Sequence, residues 1–181
     1  KGQAAPTLRR GVQTKSMTEP SIQSNVNPIG LAIASGYTFV ARGYAMAQAD
    51  LVDLIVKAVQ HRGTALLDIL QPCPIYNDLM TVDFFRGSDI GSQRVYKLSE
   101  EGFDGRVQDS GNVDEIVAKQ QAAIAKSFEW GDRIPTGVLY QVDMPTYEDG
   151  LASRRAELAS KNLVELMKPG QDVSGLEDRY R

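Results

Sequence analysis

The clearest hydrophobic periodicity of the chain lies between residues 50 and 60. Apolar side chains recur there at the spacing of one helix face, at positions Leu51, Leu54, Ile55, Ala58 and Val59. This pattern predicts a helix over residues 50–60 that buries this face, and Gly63 favours its end. His61 is the only histidine of the sequence and follows the helix. It suits the negative end of the helix dipole, and we expect it to face solvent.

The residues before this helix predict another helix and a strand. Asn27 is typical of a helix N-cap, Pro28 of the first turn and Gly36 of the end, which predicts a helix over residues 29–35. Residues 37–41 are β-branched and aromatic, and they predict a strand.

The residues after the central helix predict a second strand and a candidate site. The run over residues 65–70 is apolar except for Asp68 and predicts a buried strand. The strand stops at Pro72, which has no N–H for a sheet, and Cys73 follows directly. Helices alternating with strands indicate an α/β fold with parallel strands. Ligands bind such sheets beyond the carboxyl ends of the strands, which is where Cys73 is expected.

The rest of the chain shows weaker patterns. Residues 80–111 are rich in glycine and predict loops. Asn112 is a candidate N-cap for a helix over residues 113–128, whose apolar positions are Ile116, Val117, Ala123, Ile124 and Phe128.

The C-terminal part predicts one strand and one long helix. Residues 137–142 form the predicted strand, and residues 147–167 form a polar helix with a narrow apolar face that ends before Pro169. We expect Trp130 to pack in a core or a subunit interface, and the last dozen residues to be frayed.

Charge is distributed unevenly along the chain. Residues 1–27 are a predicted loop with a net charge of +3, because they contain four basic residues, Lys1, Arg9, Arg10 and Lys15, and one acidic residue, Glu19. The whole chain carries a net charge of −3. A solvated loop explains this pattern, and so does a site for phosphate or carboxylate, for which arginine offers a forked donor. Nucleic acid is not expected as a partner, because no aromatic residues are interspersed among these basic ones and the chain is acidic overall.

Composition narrows the class of protein. The 181 residues are 42% hydrophobic and 24% charged, as in an ordinary globular protein. No apolar run approaches the roughly 20 residues of a membrane span, so no membrane association is expected. A single cysteine excludes an intrachain disulfide framework and favours a reducing compartment, the cytoplasm.

Cys73 by itself leaves two interpretations open. A single cysteine is most often a small buried hydrophobic residue. Two features favour a functional role: prolines flank Cys73 on both sides and fix its backbone, and the polar pair Asn77-Asp78 follows closely.

Three separated motifs in a specific order resemble a known family. They are KGQAAPTLRRG at residues 1–11, NPIGLAIASGYTFVARGYA at 27–45 and LLDILQPCPIYND at 66–78, with a looser likeness in RIPTGVLYQ at 133–141. The chain resembles the β subunit of 2-oxoacid:ferredoxin oxidoreductases. The paired cysteines, third cysteine and Gly-Asp-Gly-Asp…Asn motif of that subunit are not in this sequence, so we expect it to correspond to the C-terminal portion.

The resemblance implies a fold and a division of the chain. The fold is the second half of a thiamine-diphosphate-binding fold, an α/β arrangement with a parallel sheet flanked by helices. Residues 1–27 form an active-site loop or basic arm, residues 28–80 an α/β half-domain, and residues 81–181 a loop-rich extension with helices and one strand. A half-domain of this kind leaves a sheet edge exposed.

The resemblance also implies cofactors and partners. The family oxidatively decarboxylates a 2-oxoacid to its acyl-CoA, using thiamine diphosphate, Mg²⁺ and a [4Fe-4S] cluster that passes electrons to ferredoxin. Cys73 corresponds to one cluster ligand, and the other three would come from outside this sequence. Lys1, Arg9 and Arg10 are candidates for binding coenzyme A or the 2-oxoacid. The expected partner is the α subunit of a heterodimer, and we expect the 181 residues alone to be inactive.

Two other functions remain open at this stage. The first is a non-enzymatic α/β module that binds a phosphate ligand through its basic arm. The second is a thiol enzyme with Cys73 as nucleophile, although no histidine or helix start lies near it in the sequence to lower the thiol pKa.

Overall fold

The computed structural model describes residues 3–73, 75, 77–87 and 93–154, with side chains up to residue 151. The chain divides into two compact units, Lys1–Met144 and Pro145–Arg181. No helix in the described ranges is both long and apolar enough to cross a membrane.

The described part of the first unit contains four helices, four strands and one short 3₁₀ turn. The helices are α1 (Pro28–Ala34), α2 (Gln48–Gln60), α3 (Val82–Arg86) and α4 (Val113–Ser127). The strands are β1 (Phe39–Tyr44), β2 (Ala65–Leu70), β3 (Val95–Lys97) and β4 (Ile134–Gln141), and the 3₁₀ turn is Leu98–Glu101.

The four strands form one open sheet in the order β2-β1-β4-β3. β1 and β2 are parallel, with Arg42 directly opposite Asp68, and β3 is parallel to β4. β4 runs antiparallel to β1, so the sheet is mixed. The predicted α/β class is confirmed, and the parallel pairing that the alternating pattern predicted holds for β1 and β2.

β2 has the predicted bounds but not the predicted burial. Ala65 and Ile69 are exposed and the other residues are half-buried, whereas every residue of β1 is buried. The reason is position: β2 is at the edge of the described sheet and pairs only with β1. The expected exposed sheet edge is therefore present at β2.

The main core lies where α1 and α4 pack on β1 and β4. Its buried members are apolar residues of these four elements, of the segment between β3 and α4, and of the position just after β4, namely Ile29, Ala32, Ile33, Val40, Leu98, Val107, Ala123, Leu139, Tyr140 and Val142. Burial of these apolar side chains stabilises the sheet that carries the candidate site.

Both predicted asparagine caps are confirmed. The side chain of Asn27 accepts a hydrogen bond from the Gly30 N–H at 3.1 Å, and that of Asn112 accepts one from Glu115 at 3.2 Å. Asn27 also donates to Ser127 Oγ at 2.6 Å, which joins the start of α1 to the end of α4.

The predicted buried faces of α2 and α4 are only partly correct. Leu54 is buried in α2, but Val59 is 80% exposed and Ile55 is exposed as well. After α4, Phe128 is 67% exposed, although it was expected on the apolar face. In each helix, fewer apolar residues are buried against the sheet than the periodic pattern contains. Periodicity therefore predicted the helices but overestimated their buried faces.

β1 begins and ends later than the sequence predicted. It continues through Arg42 and Gly43, two residues that a hydrophobic pattern excludes from a buried strand. Arg42 is accommodated because Asp68 pairs with it. Gly43 lets α2 pack close to the strand, because a Cβ there would lie 2.7 Å from Cδ1 of Leu51 and would force this side chain to move.

Residues 80–111 contain more structure than the expected loops. Thr81 is the N-cap of α3, since its hydroxyl accepts from the Phe84 N–H at 3.1 Å, and the helix buries Phe85. β3 then pairs with β4, which begins at Ile134 rather than at residue 137. These elements are three to five residues long, which is too short for periodicity to predict.

Residues 3–27 form the predicted loop without helix or strand. The loop doubles back on itself through hydrogen bonds from Gly11 N to Ser21 O at 2.7 Å and from Ser21 N to Val12 O at 2.9 Å. This gives the basic arm a defined shape.

The second unit contains α5 (Tyr147–Arg154). Thr146 begins it, with a hydroxyl that accepts from the Asp149 N–H at 3.2 Å, while Asp149 accepts from the Thr146 N–H at 2.9 Å. The rest of the predicted helix over residues 147–167, and the last dozen residues, lie outside the described residues.

Candidate functional site

Cys73 lies in a tight turn just beyond Leu70, the last residue of β2. The Asn77 N–H donates to the Cys73 carbonyl at 2.9 Å, and the two residues form an isolated antiparallel bridge. The side-chain oxygen of Asn77 accepts from the N–H groups of Leu79 and Met80, each at 3.1 Å. The turn is thus held by Asn77, one of the two polar residues that the sequence singled out.

The thiol of Cys73 belongs to a half-buried side chain and is not in a disulfide. Within the described residues, no group of three or more His, Cys, Asp and Glu side chains is placed to hold a metal ion. A four-ligand metal or cluster site at Cys73 would therefore need donors other than the described side chains.

The basic arm contacts the turn that carries Cys73. Lys15 Nζ donates to the Ile75 carbonyl at 3.2 Å and lies 3.9 Å from the carboxylate of Asp78. Two segments that are sixty residues apart in sequence thus meet beside the cysteine.

A largely buried ion pair joins β1 and β2 within the sheet. Arg42 Nε donates to Asp68 at 2.9 Å, and the Arg42 side chain is only 5% exposed. Arg42 Nη1 is also buried, and no described group accepts its hydrogen bond. An unpaired buried donor of this kind is rare in folded proteins because its desolvation is not compensated.

Arg42 lines a cavity of about 250 Å³ between the basic arm and the carboxyl ends of β1 and β2. Its charged lining residues are Arg9, Arg42 and Asp68, which gives it a net positive charge. The guanidinium carbons of Arg9 and Arg42 lie 5.2 Å and 5.8 Å from the centre of the Trp130 ring. Cation–π contacts of this type hold the two guanidinium groups in place.

The structure separates the three basic residues predicted to bind substrate. Arg9 lines the cavity, and partial burial lowers its pKa from the usual arginine value. Arg10 is exposed and is not among the lining residues. Lys1 lies outside the described residues.

Sequence reasoning missed Arg42 and assigned Trp130 only to packing. A usable signal was present, because FVARGY and LLDIL each place one charged residue within an apolar strand. Opposite charges in two neighbouring strands of a parallel pair predict an ion pair across them.

His61 is packed rather than facing solvent as predicted. Its Nε2 lies 2.8 Å from Thr38 Oγ1, and its ring centre is 5.5 Å from that of Phe39. Burial lowers the pKa of its imidazole, while the nearby Asp143 carboxylate acts in the opposite direction. His61 is not among the residues that line the Arg42 cavity.

Comparison with known proteins relates this arrangement to a family. Residues 73–155, beginning at Cys73 itself, match the family model for the C-terminal part of the pyruvate ferredoxin oxidoreductase beta subunit. The 2-oxoacid:ferredoxin oxidoreductase subunit beta of Saccharolobus solfataricus is 49% identical over 156 residues, 85% of this chain and 48% of that protein. Subunit beta of the 2-oxoacid:ferredoxin oxidoreductase 1 of Aeropyrum pernix is 46% identical over 164 residues, 90% of this chain and 49% of that protein. The chain belongs to this family of oxidoreductase β subunits.

A solved structure agrees with the fold of this family member. It is that of 2-oxoglutarate:ferredoxin oxidoreductase from Magnetococcus marinus with 2-oxoglutarate, coenzyme A and succinyl-CoA bound. The match has a TM-score of 0.72 and 27% identity, over 100% of this chain and 53% of that one. The chain spans about half the length of the β subunits that it matches.

Proposed function

We propose that this chain is part of a 2-oxoacid:ferredoxin oxidoreductase, which oxidatively decarboxylates a 2-oxoacid to its acyl-CoA and passes the electrons to ferredoxin. The enzyme would work in the cytoplasm with an α subunit as partner. The observation that carries the proposal is the Cys73 turn, which is fixed by Asn77 and contacted by Lys15 at the carboxyl end of β2.

Cys73 would hold one iron of a [4Fe-4S] cluster. Its residue type fits, because thiolate is the usual cluster ligand, and its half-buried position limits solvent access. Asn77 and Lys15 hold the backbone of the turn, so the sulfur is positioned before a cluster binds. The other three ligands would come from other parts of the enzyme.

Mg²⁺ and thiamine diphosphate would be held mainly by other parts of the enzyme. Mg²⁺ prefers oxygen ligands, and the described residues contain no group of three or more carboxylate, histidine or cysteine side chains placed to hold a metal ion. In the proposed enzyme, thiamine diphosphate would supply carbanion stabilisation and the cluster one-electron transfer. This chain would contribute the cysteine ligand and the basic arm, with Lys1, Arg9 and Arg10 as candidates for coenzyme A or the 2-oxoacid.

The test replaces Cys73 by alanine in the purified complex that contains this chain. Iron and acid-labile sulfide per complex, and 2-oxoacid-dependent ferredoxin reduction, are measured under anaerobic conditions. We expect Cys73→Ala to lose or destabilise the cluster and to lose ferredoxin reduction. Ile75→Ala is the matched control, because this exposed side chain lies in the same turn and its backbone carbonyl, which binds Lys15, is kept.

Two other results would contradict the proposal. A Cys73→Ala complex with full iron content and normal ferredoxin reduction would rule out the ligand assignment. A wild-type complex that binds phosphate compounds but contains no iron and no cluster absorption would favour the non-enzymatic α/β module.

A further inference from the structure

The buried guanidinium of Arg42 has one donor that the described residues leave unused. Arg42 is 4% exposed, so solvent does not hydrate its head group freely. Asp68 accepts from Nε, while Nη1 has no acceptor among the described residues. The cavity lined by Arg42 therefore contains a buried positive group with unsatisfied hydrogen-bonding capacity.

Arg9 adds a second guanidinium to the same cavity. Its guanidinium carbon lies 5.2 Å from the centre of the Trp130 ring, and that of Arg42 lies at 5.8 Å. Two arginines against Asp68 leave the lining with an excess of one positive charge. An anion entering the cavity would compensate both the excess charge and the unpaired donor.

The size and lining of the cavity limit the ligand group. A volume of about 250 Å³ holds a carboxylate or phosphate group with a few attached atoms, and it is much smaller than a whole nucleotide cofactor needs. The rest of the lining is mixed: it contains neutral polar residues, including Thr7, Asn25 and Gln71, and apolar or aromatic residues such as Ile69 and Phe85. Arginine forks match the planar or tetrahedral oxygens of such groups.

We propose that Arg42 and Arg9 form an oxyanion-binding site beside Trp130, which takes one anionic group of a ligand of the enzyme. This inference rests on the proposed function for its two candidate sources, the carboxylate of the 2-oxoacid and a phosphate of coenzyme A. Trp130 acts as a positioning residue that holds both guanidinium groups over its ring.

Binding to the purified complex is measured by calorimetry with four separate probes: 2-oxoglutarate, coenzyme A, pantetheine and inorganic phosphate. Pantetheine lacks the phosphates of coenzyme A, and inorganic phosphate detects an oxyanion site whatever the substrates are. The variants are Arg42→Lys, which keeps a positive charge beside Asp68 but removes the fork, and Arg9→Met. Arg9 is exposed, so its replacement tests the site even if Arg42→Lys does not fold.

We expect both variants to weaken binding of phosphate and of one natural ligand about tenfold or more, as loss of a charge-assisted hydrogen bond does. Weaker binding of coenzyme A with unchanged binding of pantetheine assigns the site to a phosphate. Weaker binding of 2-oxoglutarate with unchanged binding of coenzyme A assigns the site to a carboxylate of 2-oxoglutarate. Arg10→Met, which changes the same charge outside the lining, is expected to have a much smaller effect.

Three results would overturn the site. One is unchanged binding of every probe by Arg9→Met and by folded Arg42→Lys. Another is an equal effect of Arg10→Met, which would show that the net charge of the arm is sufficient. The third is a lower melting temperature of Arg9→Met with no change in binding, which would mean that Arg9 supports the fold of the complex rather than a ligand. Absence of iron in the wild-type complex would instead contradict the proposed function, and the phosphate titration would still test the site.

Discussion

The imidazole of His61 is packed against two neighbours in the folded protein. Thr38 Oγ1 lies 2.8 Å from its Nε2, and the ring packs near Phe39. Burial lowers the pKa of the imidazole from its usual 6.5, and the carboxylate of Asp143 only opposes this change. The folded protein therefore favours the neutral ring more than the unfolded chain does.

This difference predicts how stability depends on pH. As the pH falls through 6.5 towards the lower pKa of the folded state, the unfolded chain takes up its proton first, so the free energy of unfolding decreases. His61→Gln should remove this decrease. Urea unfolding at about pH 7.5 and about pH 5.5, on either side of the usual histidine pKa, measures it. An identical pH dependence in wild type and variant would show that other groups cause the change.

Pairing between β1 and β2 depends on one charged contact as well as on the backbone ladder. Arg42 and Asp68 are opposite each other in register, and the aspartate side chain is 25% exposed. Removing one member of such a pair leaves the other charge poorly solvated. The pair therefore ties the register of the two strands to the position of the cavity.

Asp68→Asn should lower the free energy of unfolding by roughly 2–3 kcal/mol, less than the cost for fully buried pairs because Asp68 is partly exposed. Asp53→Asn is the matched control. It breaks the exposed pair with Lys57 in α2, and we expect a loss below about 0.5 kcal/mol. Denaturant unfolding of both variants gives the comparison, and equal losses would mean that the Arg42 pair is no stronger than a surface pair.

The contact between α1 and α4 can be tested through the caps. Asn27→Ala removes a cap bond and the 2.6 Å bond to Ser127, whereas Asn112→Ala removes a cap bond to Glu115. We expect a loss of about 1 kcal/mol for Asn112→Ala and about 2 kcal/mol for Asn27→Ala. Thermal and denaturant unfolding measure the difference, and it would vanish if the Ser127 bond contributed nothing.

The helices and strands show what sequence reasoning could predict. The starts of α1 and α4 were predictable because Asn27 and Asn112 act locally, through bonds to residues three positions away. The exposure of Val59 was not, since it depends on where the sheet ends. β3 was missed because its three residues carry no periodic pattern and are held by β4.

The same distinction applies to the candidate site. The place of Cys73 followed from local rules, a strand and then a proline. Sequence reasoning did not connect Arg42 with Trp130, because their contact brings together β1 and the segment after α4. Lys15 beside Ile75 is likewise a long-range contact that no local pattern predicts.

At the scale of the whole molecule, the basic arm links two parts of the candidate site. Arg9 reaches the cavity and Lys15 reaches the Cys73 turn, so one folded loop contacts both. Hydrogen bonds between Gly11, Val12 and Ser21 hold the loop between these two contacts. The arm therefore stabilises the turn and also contributes positive charge to the cavity.

If the proposed function is correct, Lys15→Ala should leave the cluster in place but make it easier to lose, because the Cys73 turn would be held less firmly. The measurement is the rate of iron release from the complex in air. Lys57→Ala, which removes a lysine from an exposed pair in α2, serves as control. Equal rates in the two variants would show that Lys15 does not support the turn.

The position of Trp130 has an optical consequence. It is the only tryptophan among the 181 residues, and two guanidinium groups lie over its ring. Indole emission responds to nearby charge, so this side chain is a fluorophore placed at the cavity without labelling. Its fluorescence in a complex whose other tryptophans are replaced would report directly on whether an anion occupies the cavity beside the two arginines, before any catalytic assay is run.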